Sequence, residues 1–514
     1  MLPELSEGVA SYCYGTESST ANKTGEWRFL TPEKGSRLSP CRQSCLLDGK
    51  IPRWLEAVKN ERWDEAWSIM SQYNPFPALT GHVCFHPCTE DCNRGEIDQE
   101  IDIQMVERAI GEWRLAHYEK PVAPKAVKGR VAVIGSGPAG LSCAYYLNEA
   151  GYMVTVFERS KLIGGMLTLG IPEYRLPRKI LQKELTILKE SGIKFITGSV
   201  IGKDIQLTEL YADYAQVFVA TGAWQPRKAA IPGEECSGVW NALDFLSAVN
   251  SGQQPETENY VVVIGGGNAA VDSARTALRM SGVNHVSLIY RRSRAEMPAN
   301  QVEVEAAERE GVELIFNALP HEIEIDGRNI QAVLLNHSKT NREGLAIDYS
   351  QSFRKNCGTV IMALGQEPDY SVFDNLKKSA IFFAGGDLVS GPATVPEAIR
   401  AGRLAAMSIK AQLEGLEEPI LTLAKEKPVS FEELKLEARI NLKQEQRMIE
   451  PTEEANRCLG CGTCNSCGIC YIFCPDLAVN QVDGSYQFNL DYCKGCGICE
   501  KECPAQALIM KGGR

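Results

Sequence analysis

A cysteine spacing that occurs twice near the end of this chain constrains its fold more than any other feature. Cys464, Cys467, Cys470 and Cys474 precede Pro475, and Cys493, Cys496, Cys499 and Cys503 precede Pro504; each run reads C-x2-C-x2-C-x3-C-P, with starts 29 residues apart. Three thiolates on one tight turn can face one side of an iron-sulfur cubane, while the proline redirects the chain so that the fourth reaches elsewhere. Zinc is the competing occupant, but zinc sites usually pair two CxxC units around a longer gap. Nineteen cysteines in 514 residues could also suit a disulfide scaffold, yet such scaffolds are mostly short secreted chains. The start, MLPELSEGVA, has no basic region followed by an apolar stretch. Reduced thiolates holding metal in a cytoplasmic protein are therefore expected. No apolar run approaches the roughly 20 residues of a spanning helix, so no membrane span is expected. A net charge of -11 argues against a nucleic-acid partner, because neutralising phosphates needs clustered Lys and Arg.

Cysteine density divides the chain into a rich start up to Cys92, a middle holding Cys143, Cys236 and Cys357, which read as ordinary buried thiols, and a dense end from Cys458. IPRWLEAVKNERWDEAWSIMSQYNP and DIQMVERAIGEWRLAHYE carry apolar residues three and four apart and predict helices. Residues 121–130 mix proline with basic residues and read as a linker. The stretch from Leu413 to Glu454 is charged and mostly helical in pattern.

In VAVIGSGPAGLSCAYYLNEAGYMVTVFE a strand runs into Gly135, Gly137 and Gly140, with Pro138 and Ala139 between them. The first glycine permits the tight turn, and the second lets the backbone approach a pyrophosphate seated on the following helix N-terminus. The next strand ends at Glu158, whose carboxylate can accept from both ribose hydroxyls, which suits FAD or NAD and not NADP. A second site, YVVVIGGGNAAVDSARTAL, has Gly265, Gly267, Asn268, Ala269 and then Ala270. Its next strand ends in Tyr290, Arg291, Arg292 and, after a serine, Arg294, cations able to hold a 2'-phosphate, so NADP(H) is read here, with NAD(H) as the alternative. A solvated basic loop is the competing reading of those arginines.

These motifs together resemble the flavoproteins with two dinucleotide-binding domains, and within them the glutamate synthase small subunit and the N-terminal half of dihydropyrimidine dehydrogenase. IGGMLTLGIPEYRLPR, with Gly165, Met166 and Arg175, is similar to the family loop near the flavin; VFVATGA, with Thr221 and Gly222, to the strand closing the first FAD segment. IFFAGGDLVSGPATVPEAIRAGRLAA is similar to the returning FAD segment; the resemblance puts Gly386 and Asp387 near the ribityl and pyrophosphate, and Thr394 and Ala398 at the ring. The two terminal cysteine runs are the bacterial two-cluster ferredoxin pattern, in which the fourth cysteine of each run ligates the other cluster. It implies Cys464, Cys467, Cys470 and Cys503 for one cluster, and Cys474, Cys493, Cys496 and Cys499 for the other. Cys41, Cys45, Cys84, Cys88 and Cys92 resemble part of the family's helical domain, which carries two 4Fe-4S clusters. The family's CxxC before the position of Cys41 is absent here, whereas Cys458 and Cys461 are surplus to the ferredoxin motif. They are expected to fold back and complete the N-terminal set, with Glu107 as the non-cysteine ligand that the family allows. A single N-terminal cluster with Cys458 and Cys461 idle is the rival.

The expected class is multidomain α/β. A helical Fe-S domain (1–120) is followed by a first FAD-binding segment (130–250), an inserted NAD(P) domain (255–365) and a second FAD segment (366–412), these forming two Rossmann-like domains. A helical linker (413–455) and an α+β ferredoxin domain (456–514) complete the chain. The expected activity is that of an NAD(P)H:acceptor oxidoreductase subunit that passes electrons between NAD(P)H, FAD and 4Fe-4S clusters, two C-terminal and one or two N-terminal. Its expected partner is a catalytic subunit or a ferredoxin, in a hetero-oligomer. Glutamate synthase small subunit proper, a self-sufficient reductase of a small molecule, and a structural protein with degenerate sites are the alternatives. No acid-base catalytic residue is expected, since hydride transfer to flavin needs orientation and electrostatic tuning.

Overall fold

Val131–Ile134 is apolar and buried throughout and forms the middle of a five-stranded parallel sheet. This is a computed structural model that describes residues 23–35, 37–120, 128–341, 344–370, 382–417, 427–436, 446–482 and 485–512. The sheet order is Phe382–Ala384, Gln216–Val219, Arg130–Ile134, Met153–Glu158 and Lys194–Thr197. Continuous apolar runs are what parallel strands covered on both faces require. Helix Pro138–Glu149 packs closely on helix Val395–Glu414, and a Cβ added at Gly402 would lie 2.0 Å from Ala139 O.

A second parallel sheet runs Glu313–Phe316, His285–Tyr290, Tyr260–Ile264, Thr359–Met362, Val239–Asn241. All its strands fall in sequence between Gln216–Val219 and Phe382–Ala384, which pair with each other. Sequence reading missed a third sheet, the antiparallel Ala318–Asp326, Asn329–Asn341 and Gly344–Asn356, whose first hairpin turns at Gly327 with φ 63°.

These sheets belong to one compact unit, Met70–Phe85 with Glu107–Thr422; the other unit comprises Met1–Ile69, His86–Val106 and Leu423–Arg514. Within the first, Glu184 of helix Arg178–Glu190 is buried, and burial pushes its carboxyl up to about 8 against the opposing charge of Arg114. A folded-state pKa above the unfolded value stabilises fully below that unfolded value and is lost as pH rises to about 8. Glu184→Gln should therefore gain stability over the parent between pH about 4.5 and 8 and hold that gain at higher pH, read as melting temperature against pH.

In the second unit, helix Ile51–Lys59 buries Ile51, Trp54, Leu55 and Val58. The periodicity-based helices are thus present, the others at Trp63–Met70 and Ile103–Ala116. Helix Pro451–Asn456 packs on Ile51–Lys59, and Leu30–Lys34 pairs antiparallel with Leu508–Gly512. The stretch read as a helical linker differs: residues 427–436 hold only one 3-10 turn, Phe431–Glu433, closed by a capping box between Ser430 and Glu433. Val429 N bonds Leu38 O at 2.9 Å, so tertiary pairing replaces helical hydrogen bonds there. Residues 418–426 and 437–445 of the same stretch lie outside the described residues.

Candidate functional site

A cavity of about 1450 Å³ occupies the unit built from the two parallel sheets. Gly135, Gly137, Pro138 and Ala139 line it, together with Glu158, Gly165, Met166, Arg175, Thr221, Gly222, Gly386, Asp387, Thr394 and Ala398. Gly265, Gly267, Asn268, Ala269, Arg291 and Arg292 line it as well. Gly140 does not; its Cβ would lie 1.9 Å from Gly135 O, so its smallness lets helix approach strand.

Both glycine motifs end in helix N-termini, Pro138–Glu149 and Asn268–Leu278, that no side chain caps. Their free N-H groups and helix dipoles form two anion seats. Nothing stands within 4 Å of a Cβ built at Gly137 or Gly267, which leaves open space where a pyrophosphate would lie. Asp387 Oδ1 is buried with no hydrogen-bond partner among the described residues, and burial pushes this carboxyl up to about 6. An orphaned acceptor beside open anion seats fits a dinucleotide with donor hydroxyls. Glu158 Oε2 accepts from Ser136 N at 2.9 Å and Ser136 Oγ at 2.6 Å, and Oε1 from Ser160 N at 2.7 Å. The carboxylate is thus held rigidly, with lone-pair capacity left for ribose hydroxyls.

Arg175 lines the cavity, but its guanidinium is engaged by Asp272 at 2.7 Å and lies over the Phe85 ring. It ties the loop after Gly165 to the helix of the second glycine motif. At the arginine edge, Ser338 Oγ of the third sheet donates to Arg291 O at 2.7 Å, and Asn317 N, in the link between the second and third sheets, donates to Arg292 O at 3.0 Å, so both backbones are held. Arg292 Nε is buried without a partner among the described residues, whereas Arg294 is engaged by Glu308. Sequence reading did not single out Ser338, a buried serine in the polar second half of strand Asn329–Asn341. A charge-assisted hydrogen bond is worth about 1.5–3 kcal/mol, so Arg292→Ala should lower kcat/KM for NADPH by roughly 10- to 100-fold. The value for NADH should stay near that of the parent in the same steady-state assay.

The cysteines fall into neighbourhoods. Burial, then the negative charges of Cys464, Cys467 and Cys503, push the Cys470 thiol up to about 11. Burial pushes Cys499 up to about 12, with Cys493 and Cys496 adding to it, and Cys474 acts similarly on Cys493. Cys470, of the first run, also adds to the rise at Cys499, so the two cysteine runs lie within electrostatic reach of each other. Backbone donors already point at two of the sulfurs, Ala507 N to Cys503 Sγ at 3.2 Å and Ala478 N to Cys474 Sγ at 3.3 Å.

Toward the chain start, burial raises the Cys41 thiol well above the usual range, and Cys92, Cys458 and Cys461 add to the rise. Helix Pro40–Ser44, with Cys41, packs on Pro87–Glu90, with Cys88, and Asn93 Nδ2 donates to Cys461 Sγ at 3.5 Å. A buried ionic network anchors the approach of Cys458. Arg457 pairs with Glu454 at 2.7 Å and with Asp98 at 3.0 Å, and Arg94 donates to Arg457 O at 3.0 Å. Cys45 Sγ accepts from Gly49 N at 3.4 Å. Cys84 and Glu107 lie in the other compact unit; there Glu107 Oε1 accepts from Asn74 Nδ2 at 2.9 Å and from Thr80 Oγ1. Of the thiols read as ordinary and buried, Cys143 and Cys357 are so, while Cys236 is only partly buried.

The motif-bearing cavity and the cysteine groups together define a flavin- and nicotinamide-type oxidoreductase with iron-sulfur centres. The chain belongs to the pyridine nucleotide-disulphide oxidoreductase family, whose model matches residues 129–402, more than half of its length. Residues 36–119 match dihydropyrimidine dehydrogenase domain II with its 4Fe-4S cluster, and residues 486–509 a 4Fe-4S binding domain. More particularly, it is similar to the glutamate synthase [NADPH] small chain of Azospirillum brasilense, 32% identical over 75% of this chain and 89% of the relative. It is also similar to the NADP(+)-dependent formate dehydrogenase subunit beta of Moorella thermoacetica, 36% identical over 72% of this chain. The chain spans 59% of that subunit's length. Among solved structures, Mycobacterium tuberculosis FprA matches with a TM-score of 0.50 at 17% identity, covering 56% of this chain and 85% of FprA, a likeness of fold. FAD, NAD(P) and 4Fe-4S clusters are accordingly this chain's cofactors. Among the described residues no helix is long and apolar enough to cross a membrane.

Proposed function

We propose that the chain is the NAD(P)H-oxidising, electron-distributing subunit of a larger oxidoreductase, exchanging electrons with a partner catalytic subunit or a ferredoxin. One observation carries this reading: an acid-ended and an arginine-ended dinucleotide motif open into one cavity, in a chain that also gathers two families of cysteines. In this reading Gly135–Ala139 and Glu158 hold the FAD pyrophosphate and ribose, and Asp387, Thr394 and Ala398 hold its ribityl and ring end. Gly265–Ala269 seat the pyrophosphate of the nicotinamide nucleotide, with Arg291 and Arg292 on a 2'-phosphate. When bound, FAD supplies the link between a two-electron hydride donor and one-electron carriers.

The finer domain layout is an inserted NAD(P) domain within a split FAD domain, flanked by the two cysteine regions, as the sequence motifs order them. Cys464, Cys467, Cys470 and Cys503 would hold one C-terminal cluster, and Cys474, Cys493, Cys496 and Cys499 the other. Cys458 and Cys461 would join Cys41, Cys45, Cys88 and Cys92 around an N-terminal cluster site. No further substrate pocket is needed, since a partner would perform the carbon chemistry. The related subunits are named for formate dehydrogenase and glutamate synthase, and either class of partner is compatible, as is electron flow in either direction. The test is anaerobic reduction of a one-electron dye by NADPH with no carbon substrate present. Sustained turnover supports the proposal, and an inert preparation with its cofactors bound would refute it.

A further inference from the structure

The C-terminal cysteine module is built partly from the opposite end of the chain. Leu30–Lys34 pairs with Leu508–Gly512, Gly25 N donates to Asp491 O at 2.8 Å, and Gly35 N to Ala507 O at 2.9 Å. The approach is close. A Cβ at Gly495, between Cys493 and Cys496, would lie 2.4 Å from Leu30 O and 3.1 Å from Arg28 Cγ. Two cations arrive with this segment. Arg28 Nη1 donates to Leu490 O at 2.5 Å and Cys493 O at 3.4 Å, and its Nε is buried without a hydrogen-bond partner among the described residues. Lys34 Nζ donates to Tyr486 O and, at 3.3 Å, to Ser485 Oγ. The Tyr486 hydroxyl in turn would stand 2.8 Å from a Cβ at Gly468, between Cys467 and Cys470. Nearby Arg37 and Lys511 are held by Glu433 at 2.7 Å and Glu33 at 2.6 Å, but among the described residues Arg28 and Lys34 form no such ion pair.

We propose that the Thr24–Lys34 segment sets the reduction potentials of the C-terminal clusters, Arg28 raising that of the cluster on Cys474, Cys493, Cys496 and Cys499, and Lys34 that of the other. The proposal rests on the ligand sets given above. A 4Fe-4S cluster held by these thiolates would accept one electron, supplied by the nicotinamide-reduced flavin, with no bond made or broken, and the added negative charge would be stabilised by a cation with no carboxylate partner. Arg28 is half-buried and acts through little solvent, while Lys34 is exposed and screened by salt.

The test is a potentiometric titration followed by electron paramagnetic resonance on the full-length holoprotein, comparing the parent with R28Q, R28K and K34Q. At the parent midpoint, R28Q should lower the reduced-to-oxidised ratio of one C-terminal cluster about tenfold, equivalent to about 59 mV for a one-electron couple. R28K should restore most of that ratio, and K34Q should move the other cluster by less, with a shift that shrinks as salt is added. Unshifted midpoints in R28Q with the clusters assembled would overturn the proposal, as would an R28K shift equal to that of R28Q. Should R28Q fail to assemble its cluster, K34Q at its exposed site decides, and an unmoved midpoint there overturns it. Fewer than two C-terminal clusters in the parent by iron analysis would instead remove the ligand sets themselves, a different failure.

Discussion

Replacing Cys458 and Cys461 together by serine is expected to abolish N-terminal iron-sulfur signal while the C-terminal ferredoxin signals persist. The pair stands 366 residues or more beyond Cys92 in sequence (458 − 92 = 366), yet Cys41 senses both sulfurs, and Asn93 donates to Cys461. The backbone at this point is held independently of any cluster. Glu454 and Arg457 are buried and paired, and Leu459 packs with Val429 and Leu434. Serine should therefore leave the fold in place and remove only the thiolates, so iron should fall by about four atoms for each cluster lost. Iron analysis with spectra of the reduced protein reads this result. An unchanged N-terminal signal in the double variant would favour the idle-pair arrangement.

The second large effect is expected from Gly137→Val. Gly137 has φ -68°, which any residue adopts, and nothing stands near its missing Cβ. The variant should fold, because the added atoms enter open space. That space is where the pyrophosphate must approach the backbone at the uncapped start of helix Pro138–Glu149. The outcome should be a stable protein that retains its iron, lacks flavin and has no NADPH-dependent dye reduction. Gly140→Ala is the contrasting control, since its Cβ would meet Gly135 O at 1.9 Å and damage packing. Normal flavin content in Gly137→Val would contradict the site as described.

The parts legible in the sequence are those whose physics is local. A tight turn with three thiolates, a glycine that opens a helix N-terminus and an acid or arginine at the end of the next strand each lie within a few residues of their partners. Glu158 and Arg292, read from the sequence as ends of the two nucleotide motifs, both line the cavity. What escaped the sequence depends on distant partners. Leu30–Lys34 has no alternating pattern that announces Leu508–Gly512, and nothing in the sequence brings Lys34 to Tyr486. The segment around Val429 reads as helical because it is charged and periodic, but its amide finds Leu38 instead. Arg175 illustrates a subtler limit: the flavin-loop pattern puts it at the cofactor, and it does line the cavity, but its charge is used on Asp272, whose own carboxyl burial pushes up to about 6. The long-range return of Cys458 and Cys461 was legible only through counting surplus thiols.

The account stands most directly on whether nicotinamide-derived electrons reach iron within this one chain. Anaerobic holoprotein held with regenerated NADPH, its visible spectrum and electron paramagnetic resonance recorded on the same sample, tests that point. The prediction is a bleached flavin together with reduced-cluster signals and no added carbon substrate. A bleached flavin with every cluster still oxidised, in protein whose clusters dithionite reduces, would contradict it.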